Sequence, residues 1–400
     1  MEILFLTLEN FSSYNDHDMY ADVMRELISA GHRVHTVLPA YGSGRTALYT
    51  EGESTFLRVN TDSTTGSKNL IKKGLSTLLI GGVFKQAIRK YHAGRRFDLV
   101  VYSTPPITFA GPIRYIQRKH GASTYLMLKD IFPQNAVDLG MLSKTGIKGL
   151  VWLYFRCLEK QLYAMSDHIG CMSPANVSYL LRHNPSVEPS RVGLCPNSLR
   201  LPERTLTDKQ AIRDSFGIPK DKTVFLYGGN LGKPQGADHI IACLKAAQRE
   251  TQAFFLVVGG GTEYDRLSRE FSDSSNVRIM PSLPVEQYHV LASACDVGLI
   301  FLDRRFTIPN FPSRLLSYTQ AEMPVLSVTD ENTDIGIVIE ENGFGWKCLS
   351  DSPESFCDKV QQLVALEDLS AYGSRGRAYH QSHWLPEHAC AAILKAVNKR

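Results

Sequence analysis

Thr223–Gly236 reads TVFLYGGNLGKPQG, and the architecture follows from it. Val224, Phe225, Leu226 and Tyr227 form an unbroken apolar run, as in a strand buried on both faces of a parallel sheet. A glycine-rich turn follows, Tyr227-Gly228-Gly229-Asn230-Leu231-Gly232-Lys233-Pro234-Gln235-Gly236, and Ala237–Glu250 then has helical spacing. The same order recurs where Phe254–Val258 runs into Gly259-Gly260-Gly261-Thr262-Glu263. It recurs again from the strand Val297–Phe301 to Phe311-Pro312-Ser313-Arg314-Leu315-Leu316-Ser317-Tyr318. Repeated strand–turn–helix units predict a parallel sheet covered by helices on both sides.

Working outward, strands are expected at Val277–Met280 and Val325–Val328, and helices at Val285–Ser293, Pro353–Ala365 and Pro386–Lys399. The first half repeats the pattern. Ile3–Leu8 and Val34–Leu38 read as strands flanking the helix Met19–Ala30, and Asp98–Tyr102, Ser123–Leu128 and His168–Met172 as further strands. Pro196–Glu203, with two prolines and no periodicity, reads as a linker. The expected fold is α/β: two Rossmann-like doubly wound domains facing a cleft, residues 1–196 and 204–382. Residues 383–400 form a helix crossing back to the first domain.

Glycine turns at strand ends let backbone N–H groups approach a phosphate. Lys233 adds a charge to the first turn. Ser313 reads as an N-cap, and Arg314 beside it as a bidentate partner for a diphosphate. Carboxyl ends of parallel strands lie on one side of a sheet, so the three turns should converge on a nucleoside diphosphate. Neither glycine turn is a P-loop or a dinucleotide fingerprint.

At 400 residues, with 43% hydrophobic and 21% charged residues, the chain has the profile of a globular protein of two or three domains. No apolar run reaches membrane-span length, and Met1–Leu8 lacks the features of a signal peptide. None of the eight cysteines forms a CxxC pair, so a reduced cytoplasmic location is expected and no metal site. Residues 1–200 carry 23 Lys/Arg against 15 Asp/Glu, and residues 201–400 carry 21 against 25. The excess concentrates in Lys68–Arg96, which has no acid and encloses the apolar LSTLLIGGVF. That mixture reads either as a surface for an anionic membrane or as a solvated helix face. The aromatic helix Gly149–Met165 reads first as ordinary core and second as a further membrane or acceptor contact. Nucleic-acid binding is not expected.

The chain resembles the retaining glycosyltransferases of family 4, of GT-B architecture. The resemblance covers nearly its whole length, on AGHRVHTVLP, KDIFPQNAVDLGML, CMSPANVSYLL, LCPNS, LYGGNLGKPQGADHI, VVGGGTEYDRL, VRIMPSLPVEQYHVLASACDVGLI and FPSRLLSYTQAEMPVL. Within the family it is most similar to enzymes of bacterial capsule, O-antigen and exopolysaccharide assembly. The resemblance implies transfer of a sugar, with retention, from a nucleoside-diphosphate sugar, UDP-linked first, to a lipid-linked or oligosaccharide acceptor, without a cofactor.

It also implies roles. In the family the first glycine turn carries an Arg and a Lys on the diphosphate. Those positions are Asn230 and Gln235 here, which leaves Lys233, Ser313 and Arg314 to supply the contacts. Gly229, Gly260, Gly261, Glu263, Met280, Pro281 and Ser317 fall on the nucleotide side. Two family glutamates are replaced by Pro309 and Ser317. In the first domain the family's His-Asp stands as Lys129-Asp130, expected as catalytic residues together with His17. Asn15, Asp16 and Asp18 belong to the loop expected over the acceptor. Two other readings stay open: a sugar-nucleotide 2-epimerase on the same architecture, and a non-catalytic sugar-nucleotide-binding subunit.

Overall fold

The computed structural model describes residues 1–40, 44–61, 70–204 and 208–398, with residues 70–78 as backbone only. Lys68, Lys399 and the side chains of Lys72 and Lys73 thus lie outside the described residues. The chain divides into two compact units, Met1–Arg200 with Pro386–Arg400, and Leu201–Leu385.

The first unit is built on an eight-stranded sheet in the order β3-β4-β2-β1-β5-β6-β7-β8. Its strands are β1 (Glu2–Leu6), β2 (Arg33–Ala40), β3 (Ala47–Glu51), β4 (Ser54–Asn60), β5 (Leu99–Ser103), β6 (Ser123–Leu128), β7 (His168–Cys171) and β8 (Val192–Leu194). All neighbours pair in parallel except β3, which folds back on β4 through Gly52 at φ 61. The sequence reading assigned neither β3 nor β4. β3 exposes Leu48 and Tyr49, so that strand has no buried alternation to mark it, whereas β4 is buried along most of its length.

Helices cover both faces. Helices Leu70–Tyr91, Ala110–His120, Gly146–Met165 and Pro174–His183 pack on one, with Phe84, Ile88, Ile113, Ile116, Leu162, Tyr163 and Leu180 in its core. On the other, helix Met19–Ser29 packs against Pro386–Val397 through Val23, Met24 and Leu27 on one side and Ala389, Cys390 and Ile393 on the other. The end of the chain therefore belongs to the first unit.

The aromatic helix departs from the core expectation. Leu162 and Tyr163 are buried, but Ile147, Leu150, Val151, Leu153 and Tyr154 are all exposed. Only its second half reaches the core.

A buried histidine cluster sits on the β2 side of this unit. His35 places Nε2 2.7 Å from Glu2 Oε2 and Nδ1 2.9 Å from Thr55 Oγ1. The His92 ring lies 5.6 Å from that of His35 and 5.7 Å from that of Phe97, and both its nitrogens are buried without a partner. Burial, reinforced by His35 and Arg95, lowers its pKa to about 4. The unfolded chain then binds this proton near pH 6.5 and the folded chain only near pH 4. Stability should fall by roughly 3 kcal/mol as pH drops through that window, and be insensitive to this group above it. Urea midpoints from pH 7.5 to 4.5 should show a smaller acid loss in His92→Phe than in the parent; equal slopes would sink the assignment.

The second unit has a six-stranded sheet in the order β11-β10-β9-β12-β13-β14. Its strands are β9 (Thr223–Gly228), β10 (Ala253–Val258), β11 (Val277–Met280), β12 (Val297–Phe301), β13 (Val325–Thr329) and β14 (Gly345–Leu349). Every pairing is parallel. The order reverses between β9 and β12, so the crevice at their carboxyl ends is where a ligand is expected in such a sheet.

Candidate active site

The two glycine turns leave the sheet side by side and are laced together by their backbones. Gly229 N donates to Val258 O at 2.9 Å, Leu231 N to Gly260 O at 2.8 Å, and Glu263 N to Leu231 O at 2.9 Å. Gly259 N in turn donates to Met280 O at 3.0 Å, joining the end of β11. The approach is so close that a Cβ on Gly259 would lie 1.8 Å from Gly229 O. Gly229 itself has φ +122, a conformation open to glycine. Among the described residues, the amides of Asn230, Gly260 and Gly261 make no hydrogen bond, so three donors remain at the strand ends. Backbone N–H groups of this kind, with no Cβ beside the glycines, suit an anion.

Arg314 opens the helix Arg314–Gln320 that follows β12. Its guanidinium carbon lies 4.3 Å from the centroid of the Tyr227 ring, and 3.7 Å from where a Cβ on Gly229 would stand. Nη1 is buried with no hydrogen-bond partner. One turn on, Tyr318 fixes the helix: its hydroxyl donates to Leu299 O at 2.9 Å and accepts from Gly228 N at 3.1 Å. Gly298 makes room, since a Cβ there would meet the Tyr318 ring at 2.5 Å. The cation is thus held beside the glycine turn by an aromatic face, with a donor left unsatisfied. Leaving such a group unpaired is costly, and a bound anion removes the cost.

Tyr227 was not singled out as a site residue in the sequence reading. Its one signal there is its position, immediately before the glycine pair.

Other expected diphosphate contacts are placed differently. Ser313 is already helical at φ −65, ψ −18, and its hydroxyl makes no capping bond, so the N-cap reading does not hold. Gln235 turns inward and its Oε1 accepts from Gly232 N at 3.0 Å, bracing the turn. The Asn230 carbonyl accepts from the Tyr227 hydroxyl at 2.8 Å. Lys233 begins a 3-10 turn, Lys233–Gln235, and is exposed. On the nucleotide side, Glu263 has its carboxylate 3.6 Å from Arg266, the Met280 carbonyl holds Gly259, and Pro281 is exposed. Ser317 is half-buried, and Pro309 is buried.

In the first unit, the Lys129 ammonium donates to the carbonyls of Cys195 and Pro196, both at 3.2 Å, and burial lowers its pKa. It braces the chain after β8. Asp130 accepts two hydrogen bonds from Asn135 Nδ2, at 2.9 and 2.7 Å, while burial pushes its carboxyl up to about 6.

The loop after β1 is largely self-organised. Asp16 Oδ2 accepts from Ser12 N at 2.6 Å and Ser13 N at 3.2 Å. Asp18 caps helix Met19–Ser29 through Tyr20 N at 2.8 Å and Ala21 N at 3.1 Å. Arg200 clasps the same loop, donating to His17 Nδ1 at 3.1 Å and Asn15 O at 2.9 Å. Its own amide is fixed on the buried Asp22 at 2.8 Å. Two of the four polar loop residues, Asp16 and Asp18, therefore shape the loop with their carboxylates. Arg200, unnoticed in the linker sequence, is its clamp.

Known proteins share this fold and sequence pattern. Residues 208–378 match the family model described as "Glycosyl transferases group 1". WbjE of Pseudomonas aeruginosa, named as a glycosyltransferase, is 24% identical over 325 residues, covering 79% of this chain and 77% of the relative. WcaI of Escherichia coli (strain K12), named as a glycosyl transferase of colanic acid biosynthesis, is 24% identical over 67% of this chain and 65% of the relative. Among solved structures, Anabaena HepE in complex with UDP and glucose superposes with a TM-score of 0.70 at 12% identity, over 100% of both chains. The segment 208–378, which holds both glycine turns and Arg314, is a group 1 glycosyl transferase domain, carried by a chain of the two-domain GT-B fold.

Proposed function

We propose that the protein transfers a sugar, with retention of anomeric configuration, from a nucleoside-diphosphate sugar to a lipid-linked saccharide acceptor. The setting is bacterial surface polysaccharide biosynthesis. The observation that carries the reading is the Arg314 guanidinium, stacked on Tyr227 next to Gly229 with its buried Nη1 unpaired, on the domain whose glycine turns leave the amides of Asn230, Gly260 and Gly261 open. UDP is the nucleotide of first choice, because HepE, of similar fold, is solved with UDP and glucose. The names of WbjE and WcaI support the polysaccharide setting.

In this mechanism the bond from the anomeric carbon to the diphosphate breaks through an oxocarbenium-like state. Negative charge grows on the departing phosphate. Arg314 and the strand-end amides stabilise it from fixed positions, which is electrostatic preorganisation. A phosphate oxygen takes the proton from the acceptor hydroxyl, which attacks on the same face, so no protein nucleophile is invoked. Lys233, exposed on the first turn, adds attraction for the diphosphate. We place the enzyme in the cytoplasm, at the inner face of the membrane that carries its acceptor. Among the described residues, no helix is long and apolar enough to cross a membrane.

The test is a panel of UDP-, GDP- and dTDP-sugars, following nucleoside diphosphate release with and without a membrane extract from a polysaccharide-producing bacterium. Release that requires the extract is expected. Donor binding without release would identify a binding subunit, which the replacement of two family glutamates by Pro309 and Ser317 leaves open. Conversion of the donor without extract would identify an epimerase.

A further inference from the structure

Helix Gly146–Met165 has an apolar stripe facing solvent. Ile147, Leu150, Val151 and Tyr154 recur at helical spacing on one side, and Leu153 lies next to them. All five are exposed, Ile147 by 85% and Leu150 by 70%. The same helix packs Phe155 and Leu158 on the core of the first unit, with Phe155 edge-on to Phe132 at 5.0 Å. The apolar face thus continues along the helix, covered by the core in its second half and bare in its first, and a bare apolar patch of this kind marks an interaction surface.

The surrounding charge is of one sign. Helices Leu70–Tyr91, Ala110–His120 and Gly146–Met165 lie on one side of the sheet. Together their sequences contain a single acid, Glu159, which is buried and paired with Arg156. Lys144 and Lys148 flank the stripe and are exposed. Lys85, Arg89 and Lys119 gather around the Tyr115 ring, each within 5.8 Å of its centroid.

We propose that this helical layer docks on an anionic lipid bilayer. The Ile147–Tyr154 stripe lies in the headgroup–acyl boundary, and Lys144 and Lys148 sit at the phosphates. Apolar area and cations on one face are the two components of interfacial binding. A second copy of the chain fits less well: a two-fold contact through the stripe would bring Lys144 and Lys148 of both copies together with no exposed acid on these helices to pair them. The proposal takes only the choice of leaflet from the function proposed above. Vesicle binding and donor release are separate measurements, so either can fail alone.

The experiment is co-sedimentation of the full chain with phosphatidylcholine vesicles, with and without phosphatidylglycerol. Binding is expected only with the anionic lipid. Ile147→Ser with Leu150→Ser should weaken it about tenfold or more at all salt concentrations. Lys144→Glu with Lys148→Glu should weaken it by a similar factor at low salt and less at high salt. Near-UV circular dichroism and unchanged donor binding confirm that the variants fold. In the unmodified chain, brominated lipid should quench the fluorescence component that Trp152→Phe removes. Equal partitioning of parent and variants, binding indifferent to lipid charge, or absence of that quenching would each overturn the proposal. So would self-association that the serine variants abolish without any vesicle binding, which would make the stripe an interface between copies.

Discussion

Arg314→Met should lose donor turnover while leaving the fold as stable as the parent or more so. The two effects come from one feature. The guanidinium rests on Tyr227 and has a buried Nη1 with no partner in the free protein. An unsatisfied buried donor on a charged group costs roughly 1–3 kcal/mol, and a methionine of similar reach removes that cost while still covering the Tyr227 ring. Turnover should suffer because a preorganised charge facing the leaving group is typically worth about 10²–10³ in rate. Arg314→Lys should fall between: it keeps the charge and loses the planar contact. Nucleoside diphosphate release and thermal melting, measured on the same preparations, check this. Loss of activity in parallel with loss of melting temperature would make Arg314 a structural residue and remove the main support for the functional proposal.

Gly259→Ala should disrupt the site from its backbone. The new methyl group would lie 1.8 Å from Gly229 O and 2.9 Å from Gly229 C, and a backbone carbonyl cannot rotate away as a side chain would. The turns must part, breaking the Gly229–Val258 and Leu231–Gly260 bonds that align the open amides. A cost of about 3 kcal/mol in stability is expected, at the upper end for overpacking. At least tenfold weaker donor binding should accompany it. Gly82→Ala is the control: a Cβ there meets nothing within 4 Å, and it lies inside helix Leu70–Tyr91. It should gain about 0.5–1 kcal/mol from helix propensity and leave donor binding unchanged. Urea titration and calorimetric titration with UDP distinguish the two. A fully stable, donor-binding Gly259→Ala would show that the turns are not locked as described.

Most of the donor side was legible because the signals there are local. A run such as Val224–Tyr227 marks a buried strand by itself, and a glycine turn after each strand marks where backbone must come close. Parallel topology then forces the strand ends together, as the bonds from Gly229 to Val258 and from Gly259 to Met280 show. The individual polar contacts were less legible. Asp18 stands directly before a periodic apolar segment, so its capping role was available to sequence reasoning. Asp16 and Gln235 carry groups that suit either a ligand or a nearby amide, and both serve the amide. Short polar side chains in loops compete for their own backbone, and composition does not reveal the winner.

The stripe on helix Gly146–Met165 shows the other limit. Its apolar residues were visible and were assigned first to core. One apolar face runs the length of the helix, and only packing decides how much of it the rest of the unit covers.

The amino-acid sequence alone determined the α/β class, the parallel strand–turn–helix units and the position of the glycine turns, because periodicity and turn chemistry act over a few residues. Tertiary structure decided that Arg314 lies on Tyr227, that Lys129 braces the carbonyls of Cys195 and Pro196, that Arg200 clamps the loop at His17, and that Ile147 and Leu150 meet solvent. Each of these depends on which distant segment comes to lie beside a side chain, and the packing of the whole unit settles that.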